Sequence, residues 1–284
     1  MGYGAVLEKF RSDTVTARIC VYGAGSVGCY IGGRLLAAGS DVCFVGRTRI
    51  GDELRQHGLS LSNYRSERWF VPATNIDFST DAAVVPMADL VLVTVKSAAT
   101  PTSAGELAGT LRPGAIVISV QNGLGNAAVL RTALPGHTVL EGMVPFNVIA
   151  GGTGSYHQGS AGALEVKAAQ ALQSFAQAFS DAGLPLIEHP DMLPVQWAKL
   201  LFNLNNAINA LSNRPLKEEL SQRAYRRCLA MAQGEALALL TETGIRPARL
   251  TPLPAHRIAP ETLGSYPGLL FRAFVVQRLE SRDL

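Results

Sequence analysis

The sequence predicts an α/β fold, a doubly wound parallel sheet, followed by an all-helical C-terminal domain. Three observations carry this. A glycine-rich turn lies between a buried-strand signal and a helix at the head of the chain. Apolar β-branched runs then recur, and helical periodicity replaces them from Asp191 onward.

The first strand is Ile19 to Tyr22, and Gly23-Ala24-Gly25-Ser26-Val27-Gly28 follows it directly. A bare G-x-G-x-x-G arises often by chance. The weight lies in the apolar residues before it and in Tyr30-Ile31-Gly32-Gly33-Arg34-Leu35-Leu36 after it, which read as an amphipathic helix. In that setting the turn marks a Rossmann-type dinucleotide-binding domain. Gly23 permits the tight turn, Gly25 lets the backbone approach a pyrophosphate, and Gly28 permits close helix packing, with helix N-terminal N–H groups as donors.

The helix ends at Ala38-Gly39, and Asp41 to Val45 forms the second strand. Gly46-Arg47-Thr48-Arg49 follow it, about 20 residues beyond the glycines, where an NAD enzyme keeps an acid for the ribose. No acid stands there. Arg47, with Arg49 as a second candidate, suits the 2′-phosphate of NADPH, because a guanidinium fork matches phosphate bidentately. A solvated basic loop is the plain alternative.

Ala88 to Val95 and Ala115 to Val120 read as further strands covered on both faces. Strand C-termini line the ligand crevice in such sheets. This singles out Lys96 for a cofactor phosphate and Asn122 for the ribose or the substrate, with helix capping as the alternative role for each. Residues 139–149 read as one strand, 151–162 as a hairpin loop, 164–166 as a strand, 168–182 as a helix and 184–187 as a last strand.

Asp191 to Leu211 then reads as one long helix. At about 100° per residue, Lys199, Asn203 and Asn206 fall on one narrow polar face, opposite a core-directed face of Leu200, Leu201, Leu204, Ile208 and Leu211. An amine among neutral amides offers a proton donor beside groups that grip a hydroxyl or carboxylate. A merely solvated face would more often carry Glu, Lys and Arg.

With 284 residues, 48% hydrophobic and 17% charged, the chain supports a large core and two domains, residues 17–188 and 189–284, behind a frayed leader over 1–16. A dispersed net charge of +3 gives no basic stripe for nucleic acid. No segment is long and apolar enough to span a membrane. Cys20, Cys29, Cys43 and Cys228 lack metal-binding spacing, as do the histidines, so no metal site is expected and the thiols read as reduced, in the cytoplasm.

The glycine motif with Arg47 beyond it, Val95-Lys96, Gln121-Asn122-Gly123 and Trp197-Ala198-Lys199-Leu200-Leu201-Phe202-Asn203 together resemble the ketopantoate reductase (2-dehydropantoate 2-reductase) family, from about Arg18 to Gly244. The resemblance implies an N-terminal domain that binds NADPH and a helical domain that closes over the cleft. It also implies reduction of 2-dehydropantoate to (R)-pantoate, for pantothenate and coenzyme A synthesis. Lys199 matches the family's general acid and Asn203 its first helix asparagine; the second falls on Ala207, leaving Asn206 or Asn209 to substitute. Glu235 resembles a glutamate of the family's next long helix. The family's C-terminal serine and G-R-x-T-E-I-D signature are not recognisable. There, residues 256–267 read as loop and 268–280 as a helix, with Glu261, Ser265, Glu280 and Ser281 unassigned.

The chemistry agrees with these residues. Hydride delivery to a ketone puts negative charge on its oxygen, which a protonated Lys199 stabilises and neutralises. Asn122, Asn203 and Asn206 would orient the substrate. The expected partner is a small-molecule 2-oxo acid, and self-association, where it occurs, is expected as a homodimer. Two alternatives stay open, namely an NADPH-binding or sensing protein without turnover and a reductase of another 2-oxo acid.

Overall fold

The structure is a computed structural model and describes residues 17–249, so the leader over 1–16, Glu261, Ser265, Glu280, Ser281 and the helix expected over 268–280 lie outside the described residues. Eight strands form the main sheet: β1 Ile19–Tyr22, β2 Val42–Val45, β5 Asp77–Ser79, β6 Leu90–Val93, β7 Ile116–Ser119, β8 Thr138–Met143, β11 Leu164–Lys167 and β12 Leu186–His189. Their order is β12-β11-β8-β7-β6-β1-β2-β5. Pairing from β5 through β8 is parallel, and only the β8–β11 junction is antiparallel. The central strands are buried along their whole length. Alternate side chains therefore feed two cores: Ile19, Val21, Leu92 and Ile118 on one face, Cys20, Val91 and Val117 on the other.

A second sheet, order β4-β3-β10-β9, is built from β3 Leu59–Asn63, β4 Arg68–Val71, β9 Val148–Gly152 and β10 Ser155–Gln158. It covers the outer side of α1, Ser26–Ala37. This corrects the amphipathic reading of α1, whose residues from Gly28 to Leu35 are all buried between two sheets. Small residues make room. A Cβ at Gly32 would lie 2.4 Å from the Phe44 ring of the main sheet, and one at Gly33 would lie 2.9 Å from Leu61 of the small sheet. Buried Arg34 finds polar partners within this layer: its guanidinium stacks 3.5 Å over Trp69 and donates to the Tyr30 hydroxyl and the Ala182 carbonyl.

The small sheet also corrects two sequence readings. Residues 139–149 are not one strand: β8 and β9 belong to different sheets, and Pro145, which cannot donate to a ladder, lies between them. The stretch 151–162 read as a loop contains β10.

The remaining helices of the α/β part are α2 Thr48–His57, α3 Thr100–Ala108, α4 Asn126–Ala133 and α5 Gln173–Asp181. The C-terminal region is helical: α6 Leu193–Asn203, α7 Asn205–Ser212, α8 Leu216–Ser221 and α9 Arg223–Glu242. The long helix expected over 191–211 divides into α6 and α7 at Leu204, whose own backbone stays helical (φ −56°, ψ −28°), and its buried side is not the predicted one. Val195, Ala198 and Leu201 are the buried side of α6, whereas Leu211, expected in the core, is 88% exposed.

Gly32→Ala should destabilise the fold by about 2 kcal/mol, because overpacking against Phe44 and Val21 outweighs the roughly 1 kcal/mol that Ala gains over Gly in a helix. A urea unfolding curve measures it, and a midpoint at or above wild type would contradict the packing described.

Candidate active site

The glycine turn is built by backbone contacts from three strands. The N–H groups of Gly23 and Ala24 both donate to the Val45 carbonyl at 2.9 Å, tying the turn to β2. The Thr94 hydroxyl, beyond the end of β6, donates to the Gly23 carbonyl at 2.6 Å. Gly23 has φ +113°, and a Cβ there would lie 2.7 Å from the Val95 nitrogen. At Gly28 a Cβ would lie 2.6 Å from both the Gly23 carbonyl and the Thr94 hydroxyl. Around Gly25 there is open space: the nearest atom to a Cβ would be 4.0 Å away.

These three environments match three separate requirements. Gly23 needs its backbone conformation, Gly28 needs the absence of a methyl for packing, and Gly25 leaves free volume at the N-terminus of α1. No acidic residue occupies the first turn of that helix. The N–H groups of Ser26, Val27 and Gly28 have no intrahelical acceptor and suit an anion. A dinucleotide pyrophosphate fits this cradle.

β8, β7, β6, β1 and β2 are consecutive parallel neighbours, so the residues after their C-termini share one edge of the sheet. Gly23, Arg47, Lys96 and Asn122 all lie on it. Arg47 is exposed at the N-cap of α2. Arg49, the second candidate, instead pairs with Glu53 one turn on, at 3.4 Å. Lys96 precedes the 3₁₀ turn Ser97–Ala99 and is exposed, as is Asn122 after β7.

The helical region reaches the same edge. Met192 and Val195 pack against Met143 at the end of β8, which docks α6 there. Lys199, one turn further along α6, is half-buried, and its Nζ donates to the Pro145 carbonyl at 3.2 Å. Burial lowers the Lys199 pKa below the ordinary lysine value. A neutral carbonyl accepts a hydrogen bond without neutralising the amine, so the proton stays available for transfer.

Asn203 is half-buried four residues beyond Lys199 on α6. The other candidates lie on α7 and α9. Asn206 is exposed, and Asn209 donates to the Arg214 carbonyl at 2.9 Å and to the buried Glu219 of α8. Glu235 is exposed on α9. The helical-wheel reading overlooked Asn205, the buried asparagine of α7, and Gln233, which donates from α9 to the Leu201 carbonyl of α6 at 3.1 Å. It also overlooked Thr94 and Pro145, which touch the site through contacts far apart in sequence. Among the described residues, no group of His, Cys, Asp and Glu converges as a metal site, and no helix is long and apolar enough to cross a membrane. Cys20, Cys29, Cys43 and Cys228 are free thiols.

Sheet order, glycine cradle and half-buried lysine define an oxidoreductase of Rossmann type. A family model described as ketopantoate reductase PanE/ApbA matches residues 19–171. A 2-dehydropantoate 2-reductase of Halobacterium salinarum is 30% identical over 82% of this chain and 80% of its own length. The crystal structure of a PanE/ApbA family ketopantoate reductase from Ralstonia eutropha superposes with a TM-score of 0.75 at 26% identity, covering 93% of this chain and 92% of that one. The same fold appears, at 16% identity and TM-score 0.70, in D-mandelate dehydrogenase bound to NADH and anilino(oxo)acetate, over 92% of this chain and 86% of that one. The chain belongs to the ketopantoate reductase PanE/ApbA family.

Substitutions at two glycines should separate folding from binding. Gly23→Ala should lower stability by about 2 kcal/mol through backbone strain and contact with Val95. Gly25→Ala should leave stability within about 0.5 kcal/mol of wild type, yet weaken dinucleotide binding about tenfold, or about 1.4 kcal/mol. Urea unfolding and fluorescence titration together distinguish the two, and equal effects on both properties would contradict the assignment.

Proposed function

We propose that the protein catalyses NADPH-dependent reduction of 2-dehydropantoate (ketopantoate) to (R)-pantoate, a cytoplasmic step toward pantothenate and coenzyme A, with Lys199 as general acid. The observation that carries this reading is the half-buried Lys199 amine at the C-terminal edge of the sheet, hydrogen-bonded only to a neutral carbonyl among the described residues. Residues 17–188 would bind the cofactor, and 189–284 would contribute the acid and close the cleft.

The backbone from Gly23 to Gly28 holds the pyrophosphate, Arg47 the 2′-phosphate, and Lys96 adds positive charge at the same edge. Bound NADPH supplies the hydride. Lys199 stabilises the charge that grows on the ketone oxygen and passes its Nζ proton to it. Asn122 and Asn203 hold the substrate's carboxylate and hydroxyl without titrating, which fixes the ketone's orientation. Asn209 serves the packing of α7 on α8. A second reading, another 2-oxo acid as substrate, draws support from the shared fold of D-mandelate dehydrogenase, whose structure holds a 2-oxo acid analogue. Family membership and the inward amine support turnover over a purely sensing role.

Oxidation of NADPH followed at its near-ultraviolet absorbance, with ketopantoate and two other 2-oxo acids, tests the proposal. NADPH binding without oxidation of any of them would replace it with the sensing role. Lys199→Ala should lower kcat by about 10²- to 10⁴-fold with NADPH affinity nearly unchanged, and retained turnover would remove its acid role. Lys199 works in its protonated form, so kcat/KM should fall as pH rises through its pKa. Because burial depresses that pKa, the fall should be centred below the ordinary lysine range.

Arg47→Asp should move coenzyme preference from NADPH toward NADH. The ratio of the two kcat/KM values measures it, and an unchanged ratio would refute the phosphate assignment.

A further inference from the structure

Behind the sheet edge, the loops after β6 and β7 are joined by a directional chain of side-chain hydrogen bonds that is buried except where it passes through Ser97. The Ser119 hydroxyl donates to Gln121 Oε1 at 2.9 Å. Gln121 Nε2 donates to the Thr100 hydroxyl at 2.8 Å and to the Val95 carbonyl at 3.0 Å. Thr100 passes its hydroxyl hydrogen to Asn126 Oδ1 at 3.0 Å. Asn126 Nδ2 donates to the Asn122 carbonyl at 3.0 Å and to the Ser97 hydroxyl at 3.2 Å, and Ser97 in turn donates to that same Asn122 carbonyl at 3.0 Å.

Ser119, Gln121, Thr100 and Asn126 are all buried. The bonds run in one consistent donor-to-acceptor direction, and a connected network of this kind, buried except at its Ser97 branch, rigidifies the loops it joins. It ends on one peptide. The Asn122 carbonyl accepts one bond from buried Asn126 and one from exposed Ser97, while the Asn122 side chain is exposed at the sheet edge with no partner of its own among the described residues. Helix capping does not explain them, because Thr100 and Asn126 open α3 and α4 as first helical residues and neither side chain accepts from a helix N–H among the described bonds. Both branches from Asn126 instead converge on the carbonyl of the one residue in that loop proposed to touch substrate.

We propose that Asn126 is a positioning residue for the reaction: locked through Thr100 and Gln121, its carboxamide immobilises the Asn122 peptide and so presents the Asn122 side chain to the carboxylate of a 2-oxo acid. The inference rests on the reading of Asn122 given under the proposed function. Preorganisation of this kind removes the cost of ordering a flexible loop when substrate binds.

A double-mutant cycle on the full-length enzyme tests it, with ketopantoate and NADPH as the probes and urea midpoints recorded for each variant. Asn126→Asp keeps the shape and still accepts from Thr100, but as a carboxylate it cannot donate to Ser97 or to the Asn122 carbonyl. Its kcat/KM should fall about tenfold or more, mainly through KM for ketopantoate. Asn122→Ala should also be impaired, and adding Asn126→Asp to it should cost less than about a further twofold, because the residue through which Asn126 acts is gone. Thr100→Val should reproduce part of the loss and Thr100→Ser should recover it, which keeps the test informative if Asn126→Asp folds poorly. Losses that multiply in the double variant would overturn the inference while leaving Asn122 in its role. An unimpaired Asn122→Ala would instead remove Asn122 from substrate binding, and the inference with it.

Discussion

The approach of α1 to β1 and β6, possible only because residues 23 and 28 carry no side chain, sets the position of everything around the candidate site. It brings the helix N-terminus to the C-terminal edge of five parallel strands, and all the cofactor-side candidates follow those strand ends. The same contact fixes where the substrate side must arrive. α6 meets that edge at Met143, and the Lys199 amine reaches the Pro145 carbonyl just beyond the end of β8.

The two sides of the site are held by different physics. The cofactor side is largely backbone: glycine conformations, strand-to-turn hydrogen bonds and unsatisfied helix amides, with Thr94 as the one side chain that pins the turn. The side proposed to receive substrate is built from side chains. An apolar clasp of Met143, Met192 and Val195 docks α6, Gln233 secures the Leu201 carbonyl of that helix, and Asn209 with Glu219 ties α7 to α8. Burial leaves the Lys199 ammonium with a single carbonyl acceptor among the described residues, which lowers its hold on the proton without removing it.

Legibility in the sequence followed burial and locality. β1, β2, β6 and β7 announce themselves because parallel strands covered on both faces are continuous apolar runs. The glycine turn announces itself because three residues in one local unit each answer a separate constraint. The second sheet was invisible: β3 is read as β-structure only once β10, from a distant part of the chain, lies beside it, with Ser60 opposite Ser155 and Asn63 opposite Gln158. With that sheet unseen, α1 looked amphipathic. The division at Leu204 carries no Pro or Gly and leaves the backbone there helical; the one signal near it is the crowding of Asn203, Asn205 and Asn206, poor helix formers whose side chains compete for backbone hydrogen bonds. Thr94 and Pro145 escaped notice because they act on residues 71 and 54 positions away.

The cover over α1 is assembled from two insertions, one before β5 and one after β8, and neither suffices alone. During synthesis the nucleotide-binding helix therefore emerges with Leu59 and Leu61 lacking their β10 neighbour, and that partner is translated only after most of the main sheet. The leading βαβ unit is in this sense a tenant of the whole domain: its outer wall is completed only after β5 to β8 of the main sheet and the first half of the small one have been made, so its maturation on the ribosome waits for chain that has yet to appear.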